Sequence, residues 1–252
     1  MECCEILNKQ FPNHSFILNL PGMAYQGLQN HPKAIDFFES ALEIERTNIA
    51  AMNNLANSLK NTGQYLKADK LFQKIIKISP SYIQAYNNYA NLKDLVNDVE
   101  GSIKLYNQAL LIAREKKISP IVILSHLAGA YHSLNKKKES IEIVNEILKN
   151  DPHNAEAHKA LSSLTKYSKK NKETMIHISR MKNILNENNL EDNQKGIISF
   201  ALGKAYDELN DADTAIKFLS AGNKIIQKIR VSNINKDINI MNDIKKIYKN
   251  ID

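Results

Sequence analysis

Small side chains recur along the chain at the spacing a stack of paired helices needs. Repeats begin near Ser15, Ile49, Ile83, Ile121, Ala155 and Gly196, so that successive starts lie 34, 34, 38, 34 and 41 residues apart. The eighth position of each repeat reads Gly22, Ala56, Ala90, Ala128, Ser162 and Gly203, and the twentieth reads Ala34, Ala68, Ser102, Ser140, Thr174 and Ala215. Two antiparallel helices cross at about 8–10 Å only where the facing side chains are short. Larger apolar residues flank these points. The seventh position reads Pro21, Leu55, Tyr89, Leu127, Leu161 and Leu202, the core side of a first helix. The twenty-fourth reads Phe38, Phe72, Tyr106, Val144, Ile178 and Leu219, a knob on a second helix that fills the space toward the next repeat. Pro12, Pro80 and Pro152 fall where the second helix must stop, because Pro cannot continue it. The 38-residue repeat from Ile83 needs a longer second helix, to about Lys117, and the stretch from Glu187 to Asn193 reads as a loop. A period of this length predicts a solenoid, in which each repeat buries its apolar face only against its neighbours.

A small residue at 8, Ala at 20, an aromatic at 24 and Pro at 32 form the signature of the tetratricopeptide repeat. The chain resembles that family over nearly its whole length, best in the repeats from Ser15, Ile49 and Ile121. The resemblance implies an all-α fold, a right-handed superhelical solenoid of helix-turn-helix repeats, and a concave groove that takes a protein or peptide segment. The last two repeats depart from the pattern, with His158 and Ser199 at position 4 and Asn186 and Gln227 at position 32. Counting back from Ser15 puts Met1 at position 21 of a preceding repeat. Residues 1–14 then read as a partial repeat, a second helix over Glu2–Gln10 without its first, which predicts a fragment of a longer chain. Residues 15–192 hold five repeats, and 193–252 the last repeat plus a capping or linker helix. In that helix Ile234, Ile238, Met241 and Tyr248 share one stripe, with Ile240, Ile244 and Ile247 beside it. Such a stripe either closes the end of a stack or docks a following domain.

The family's groove is lined by positions 2, 5, 6, 9, 12 and 13 of the first helices. Asn54 and Asn57, then Asn88 and Asn91, occupy positions 6 and 9 of two successive repeats. A side-chain amide both donates and accepts, so such a row can hold an extended peptide by its backbone. It resembles the Asn ladder of the O-GlcNAc transferase repeats. The row ends where Leu20 and Met23, and His126 and Gly129, take the same positions. Further along, Lys159, Lys166 and Lys204 fall on groove positions and predict an acidic partner segment there, with Glu156 and Asp207 near enough to offset them.

Composition narrows the function class. Apolar residues make up 43% of the 252, aromatics 7%, and there is no Trp, which suits a thin extended core. The formal charge is +7, but Asp and Glu are interspersed among the Lys residues, so the basic excess reads as solvated helix faces and not as a nucleic-acid surface. Cys3 and Cys4 are adjacent and form no disulfide framework, which suggests a reducing compartment, the cytoplasm. No stretch reaches the roughly 18 apolar residues of a membrane span. His153 and His158 are five apart and His126 and His132 six apart, not the four that put two metal ligands on one helical face.

One further resemblance touches the C-terminal repeats. Phe200-Ala201-Leu202-Gly203-Lys204-Ala205, leading to Ala215 and to Gly222-Asn223, is similar to the last repeats of bacterial tetratricopeptide-repeat sulfotransferases over residues 155–230. In that family the array precedes a catalytic domain using 3′-phosphoadenosine 5′-phosphosulfate. The resemblance implies that this chain is the acceptor-presenting portion, with a sulfotransferase domain beyond it. The chain itself carries no phosphate-binding loop: Gly203-Lys204 is not followed by Ser or Thr and falls inside a predicted helix. No catalytic residues, cofactor or metal are therefore expected within it.

Overall fold

A computed structural model describes residues 14–187 and 190–249, with side chains to Val231. The partial repeat with its two cysteines falls outside the described residues, apart from His14, as do the side chains of the apolar stripe from Ile234 to Tyr248. Twelve helices are described: α1 (Ser15–Gly27), α2 (His31–Ile44), α3 (Ile49–Asn61), α4 (Tyr65–Ile78), α5 (Ile83–Leu95), α6 (Val99–Glu115), α7 (Ile121–Ser133), α8 (Lys137–Asn150), α9 (Ala155–Leu164), α10 (Lys172–Leu185), α11 (Asp192–Glu208) and α12 (Ala212–Lys249). There is no strand among the described residues. The first helix of five repeats starts at the residue where the period places it. The sixth, α11, begins four residues ahead of Gly196, so the predicted loop is shorter than expected. Helix α6 runs for 17 residues where the other second helices of the regular repeats have 14, as the longer repeat requires.

The turn inside each repeat is specified at one position. Position 15 is left-handed in five repeats, at Gln29, Gly63, Asn97, Asn135 and Asn210, with φ between 57° and 78°. The residue after it donates its N–H back across the helix end, as from Asn30 to the Tyr25 carbonyl (2.9 Å) and from Asp98 to the Lys93 carbonyl (2.8 Å). This is the Schellman closure of a helix C-terminus, and Gly and Asn supply the positive φ at least cost. Asn and Asp then cap the starts of several helices. Asn30, Asn48, Asp98, Asn154 and Asn171 each accept from a backbone N–H of the first turn. The fifth repeat breaks the pattern. Helix α9 is only ten residues long, Thr165 is extended, and the chain runs irregularly to Asn171.

All twelve small residues at positions 8 and 20 are buried. The knobs Phe38, Phe72, Tyr106, Val144 and Ile178 are buried too, whereas Leu219 remains 37% exposed. This contrast decides the effect of adding one methyl group. A Cβ on Gly22 would lie 2.5 Å from the Phe38 ring, and Phe38 is fully enclosed. A Cβ on Gly203 would lie 2.6 Å from Leu219, whose side chain has room to swing outward. Ala gains about 1 kcal/mol over Gly in a helix, while overpacking costs about 1–3 kcal/mol. We expect Gly22→Ala to lower the melting temperature and Gly203→Ala to leave it level or raise it. Equal shifts in the two variants would contradict the packing account.

The chain divides into two compact bodies, one ending at Ser140 and the other starting at Ile141. In the first, α1 to α7 pack in sequence, and the first helices α1, α3, α5 and α7 also touch one another in order. Its core joins Phe38, Met52, Leu55, Phe72, Ile75 and Tyr89 across three repeats. In the second, α11 packs against α9, α10 and α12 around Tyr167, Met181, Ile198 and Leu202. No described helix is long and apolar enough to cross a membrane.

Candidate functional site

The row of first helices in the N-terminal body is tied together by amides. Asn54 Nδ2 donates to Asn19 Oδ1 (3.2 Å), and Asn88 Nδ2 donates to Asn53 Oδ1 (3.1 Å). A third link of the same kind joins His126 Nδ1 and Asn87 Oδ1 at 3.0 Å. Each connects position 5 of one repeat to position 6 of the next. The row thus extends past the point where the sequence pattern ended it, with imidazole replacing amide at the last link. Position 5 was the signal missed: Asn19, Asn53 and Asn87 stand 34 residues apart. An Asn side chain has two N–H groups and a carbonyl. With one N–H committed to the link, Asn54 and Asn88 each keep a carbonyl oxygen and an N–H without a partner among the described residues. The links also hold these side chains in one orientation before any ligand arrives, which reduces the entropy lost on binding.

The other two predicted amides are placed differently. Asn57 makes no hydrogen bond among the described residues and lines a cleft with Gln26, His31, Lys60, Asn61 and Asn88. Asn91 is held from below, its side-chain oxygen 2.6 Å from the Tyr106 hydroxyl, which also lies 2.9 Å from Asp94 Oδ2. Burial, reinforced by the Asp94 charge, raises the Tyr106 phenol far above its ordinary range, so this hydroxyl stays a donor. Burial lowers His126 below the ordinary histidine value, and Lys60 works in the same direction against Asp94.

Two of the three lysines expected to grip an acidic segment have other engagements. Lys159 pairs with Glu156 at 3.3 Å, both side chains exposed. Lys204 turns inward: its Nζ donates to the carbonyls of Ser162 (2.6 Å) and Thr165 (3.2 Å) and to Glu208 Oε1 (2.9 Å). It closes the open C-terminal end of the shortened α9, where unpaired carbonyls favour a cation. Lys166 is exposed, and its charge bears on the same Glu208. Burial alone would raise the Glu208 carboxyl, but hydrogen bonds from Lys204 and from the Tyr167 N–H (2.7 Å) hold it below the usual range. The neutralising acids are thus Glu156 and Glu208, the second one residue on from the expected Asp207.

The irregular stretch after α9 also builds a buried polar chain. Tyr167 O–H lies 2.7 Å from His177 Nδ1, His177 Nε2 lies 2.9 Å from His158 Nδ1, and His158 Nε2 lies 2.9 Å from the Pro152 carbonyl. A carbonyl only accepts, so His158 carries its proton on Nε2 and accepts on Nδ1. His177 must then donate from Nε2 and accept on Nδ1, which makes Tyr167 a donor. One acceptor at the end fixes every proton in the row. The rings stack, with centroids 5.1 Å apart for the two histidines and 5.9 Å for Tyr167 and His177. His158 thus fills position 4, usually a large aromatic, by pairing with a second ring. Among the described residues no group of three or more His, Cys, Asp or Glu could hold a metal ion.

Comparisons with known proteins bear on the N-terminal repeats and on the fold. Tetratricopeptide-repeat family models match residues 17–48 and 37–70. The protein ycf37 of Porphyra purpurea is 34% identical over 65 residues, 26% of this chain, and the match spans 38% of that protein's length. Among solved structures, the chain is similar to PilF of Pseudomonas aeruginosa (TM-score 0.63, 16% identity, 86% of this chain and 97% of that one). It is also similar to YrrB, described as a TPR protein with an unusual peptide-binding site (TM-score 0.54, 14% identity, 79% and 97%). A double mutant of MamA RS-1 aligns over 68% of this chain and 93% of its own, with a TM-score of 0.56 and 15% identity. Tetratricopeptide-repeat models thus match residues 17–70, in a chain whose all-α fold is that of the tetratricopeptide-repeat solenoids.

Proposed function

We propose that the face formed by α1, α3, α5 and α7 binds an extended peptide segment of a partner protein through its backbone. The observation that carries this reading is the regular amide linkage, which leaves Asn54 and Asn88 oriented with a free acceptor and donor each, one repeat apart. Extended peptide offers alternating N–H and C=O groups that such amides can meet in either sense. The peptide-binding site named for YrrB, a protein of similar fold, adds support.

The decisive residue is Asn57, because it faces the cleft and holds nothing else in place. The full chain, passed over an array of immobilised short peptides, is expected to capture a subset. Asn57→Ala should weaken that capture by about tenfold, the equivalent of one good hydrogen bond, without moving the melting temperature. Asn54→Ala with Asn88→Ala should weaken capture and also destabilise, since it strands the buried acceptor Asn53. Capture by Asn57→Ala equal to the parent's would refute the reading.

The acceptor-presenting role suggested for residues 155–230 rests on the Phe200–Asn223 pattern, two of whose glycines have packing reasons. Leu219 lies against Gly203 and Phe200 against Gly222. A reading frame that continues past Asp252 into a phosphate-binding loop would favour that role.

A further inference from the structure

Lys60 stands apart from the other groove cations. It sits at position 12 of the second repeat, partly buried, in the cleft it shares with Gln26, His31, Asn57, Asn61 and Asn88. No carboxylate lines that cleft, and Lys60 forms no ion pair among the described residues. The neighbouring cation Lys93, by contrast, pairs with Asp69 at 2.9 Å and with Asp98 at 3.6 Å. Asp94, at position 12 of the next repeat, is hydrogen-bonded by Tyr106. Several donors stand around Lys60. Asn61 Nδ2 lies 3.3 Å from His31 Nε2 and donates to it, which places the proton of a neutral His31 on Nδ1, a buried atom with no acceptor. Gln26 gives its Nε2 to Ser58 Oγ and to the Asn54 carbonyl. A desolvated ammonium with no counter-charge is costly, and burial presses this one below the ordinary lysine range.

We propose that this cleft is a subsite for a carboxylate side chain, so that the segment bound along the first helices carries an Asp or Glu seated on Lys60. The inference rests on the peptide reading above and gives it a sequence requirement. The carboxylate takes a charge-assisted hydrogen bond from Lys60 and accepts from the Asn57 and Asn61 amides. It supplies the negative charge that the cleft lacks. The acidic partner chemistry thus falls on the second repeat, and not on Lys159 and Lys204, which are already paired or turned inward.

The test uses matched peptide pairs on the same array, each captured peptide printed beside its Glu→Gln or Asp→Asn counterpart. The parent should prefer the acid member by about tenfold at low salt, with the preference falling as salt is raised. Lys60→Gln should bring the ratio close to one without lowering the melting temperature, because nothing in the fold depends on its charge. Lys104→Gln, an exposed lysine on α6, removes the same charge away from the cleft and should leave the ratio as in the parent. Capture without acid preference, or a preference that survives in Lys60→Gln, overturns the subsite and leaves the peptide reading standing. If the parent captures no peptide at all, both fall.

Discussion

Lowering the pH from 7 to about 4.5 should loosen the C-terminal body, with two depressed histidines, more than the N-terminal body, where His126 is the depressed one among the described residues. His177 is buried beside His158 and near Arg180, and burial first, then these neighbours, depress it to about 4. An ordinary histidine in the unfolded chain takes its proton near 6.5. Between those values the unfolded state binds more protons than the folded one, so stability falls as the pH falls. Each pKa unit is worth about 1.4 kcal/mol, so the full loss approaches about 3 kcal/mol, reached near pH 4. His158 is depressed as well, mainly by burial, with Arg180 and His153 adding to the effect and Asp151 and the Pro152 carbonyl opposing it. Both histidines act in one direction. Hydrogen exchange in α9 and α10 against α3 and α4 at the two pH values reads the difference. His177→Gln removes the larger of the two titrations and should show a smaller pH dependence, the remainder carried by His158, whatever its own stability. Protection in α9 and α10 that is unchanged at pH 4.5, or that falls equally in His177→Gln, would count against the buried chain as its source.

Phe72→Ala should be among the most damaging single substitutions in the N-terminal body, at about 3–5 kcal/mol. The ring is fully buried and stacks on Tyr89 with centroids 5.7 Å apart. Tyr89 cannot slide into the vacated space, because its hydroxyl donates to Asp69 Oδ1 (2.8 Å) and accepts from Gln73 (3.2 Å). Lys93 holds the same Asp69 at 2.9 Å. A cavity that its surroundings cannot close costs toward the upper end of the range. Leu219→Ala, at the same repeat position, removes a partly exposed knob and should cost less than about 1 kcal/mol. Denaturant titration of both variants gives the comparison. Similar losses in the two would mean that position 24 does not act through enclosure.

The helix starts were legible because they follow from packing between neighbours. Short residues at positions 8 and 20 can only mark a crossing, and a crossing fixes both helices. Groove chemistry was legible in part. Asn54 and Asn88 stood out as a pair, but their partners at position 5 did not, since a pattern of identical residues does not say which amide meets which. Lys204 was misleading for a related reason. Its position faces the groove in a regular repeat, yet α9 stops early and leaves carbonyls that draw the ammonium inward. Tyr167 gave no periodic signal at all, because it lies in the seven residues that replace the usual turn. Where the fifth repeat abandons the left-handed position 15, the side chains around it lose their family meaning.

The amide links have a consequence for how such a chain can change length. The second and third repeats each offer an acceptor at position 5 to the repeat that follows and a donor at position 6 to the repeat before. A duplicated copy of the second repeat, placed directly after the original, would present its Asn54 to the waiting Asn53 and its own Asn53 to Asn88. Duplication of the second or third repeat keeps every link on this face paired, whereas gain or loss of a part of one strands a buried amide.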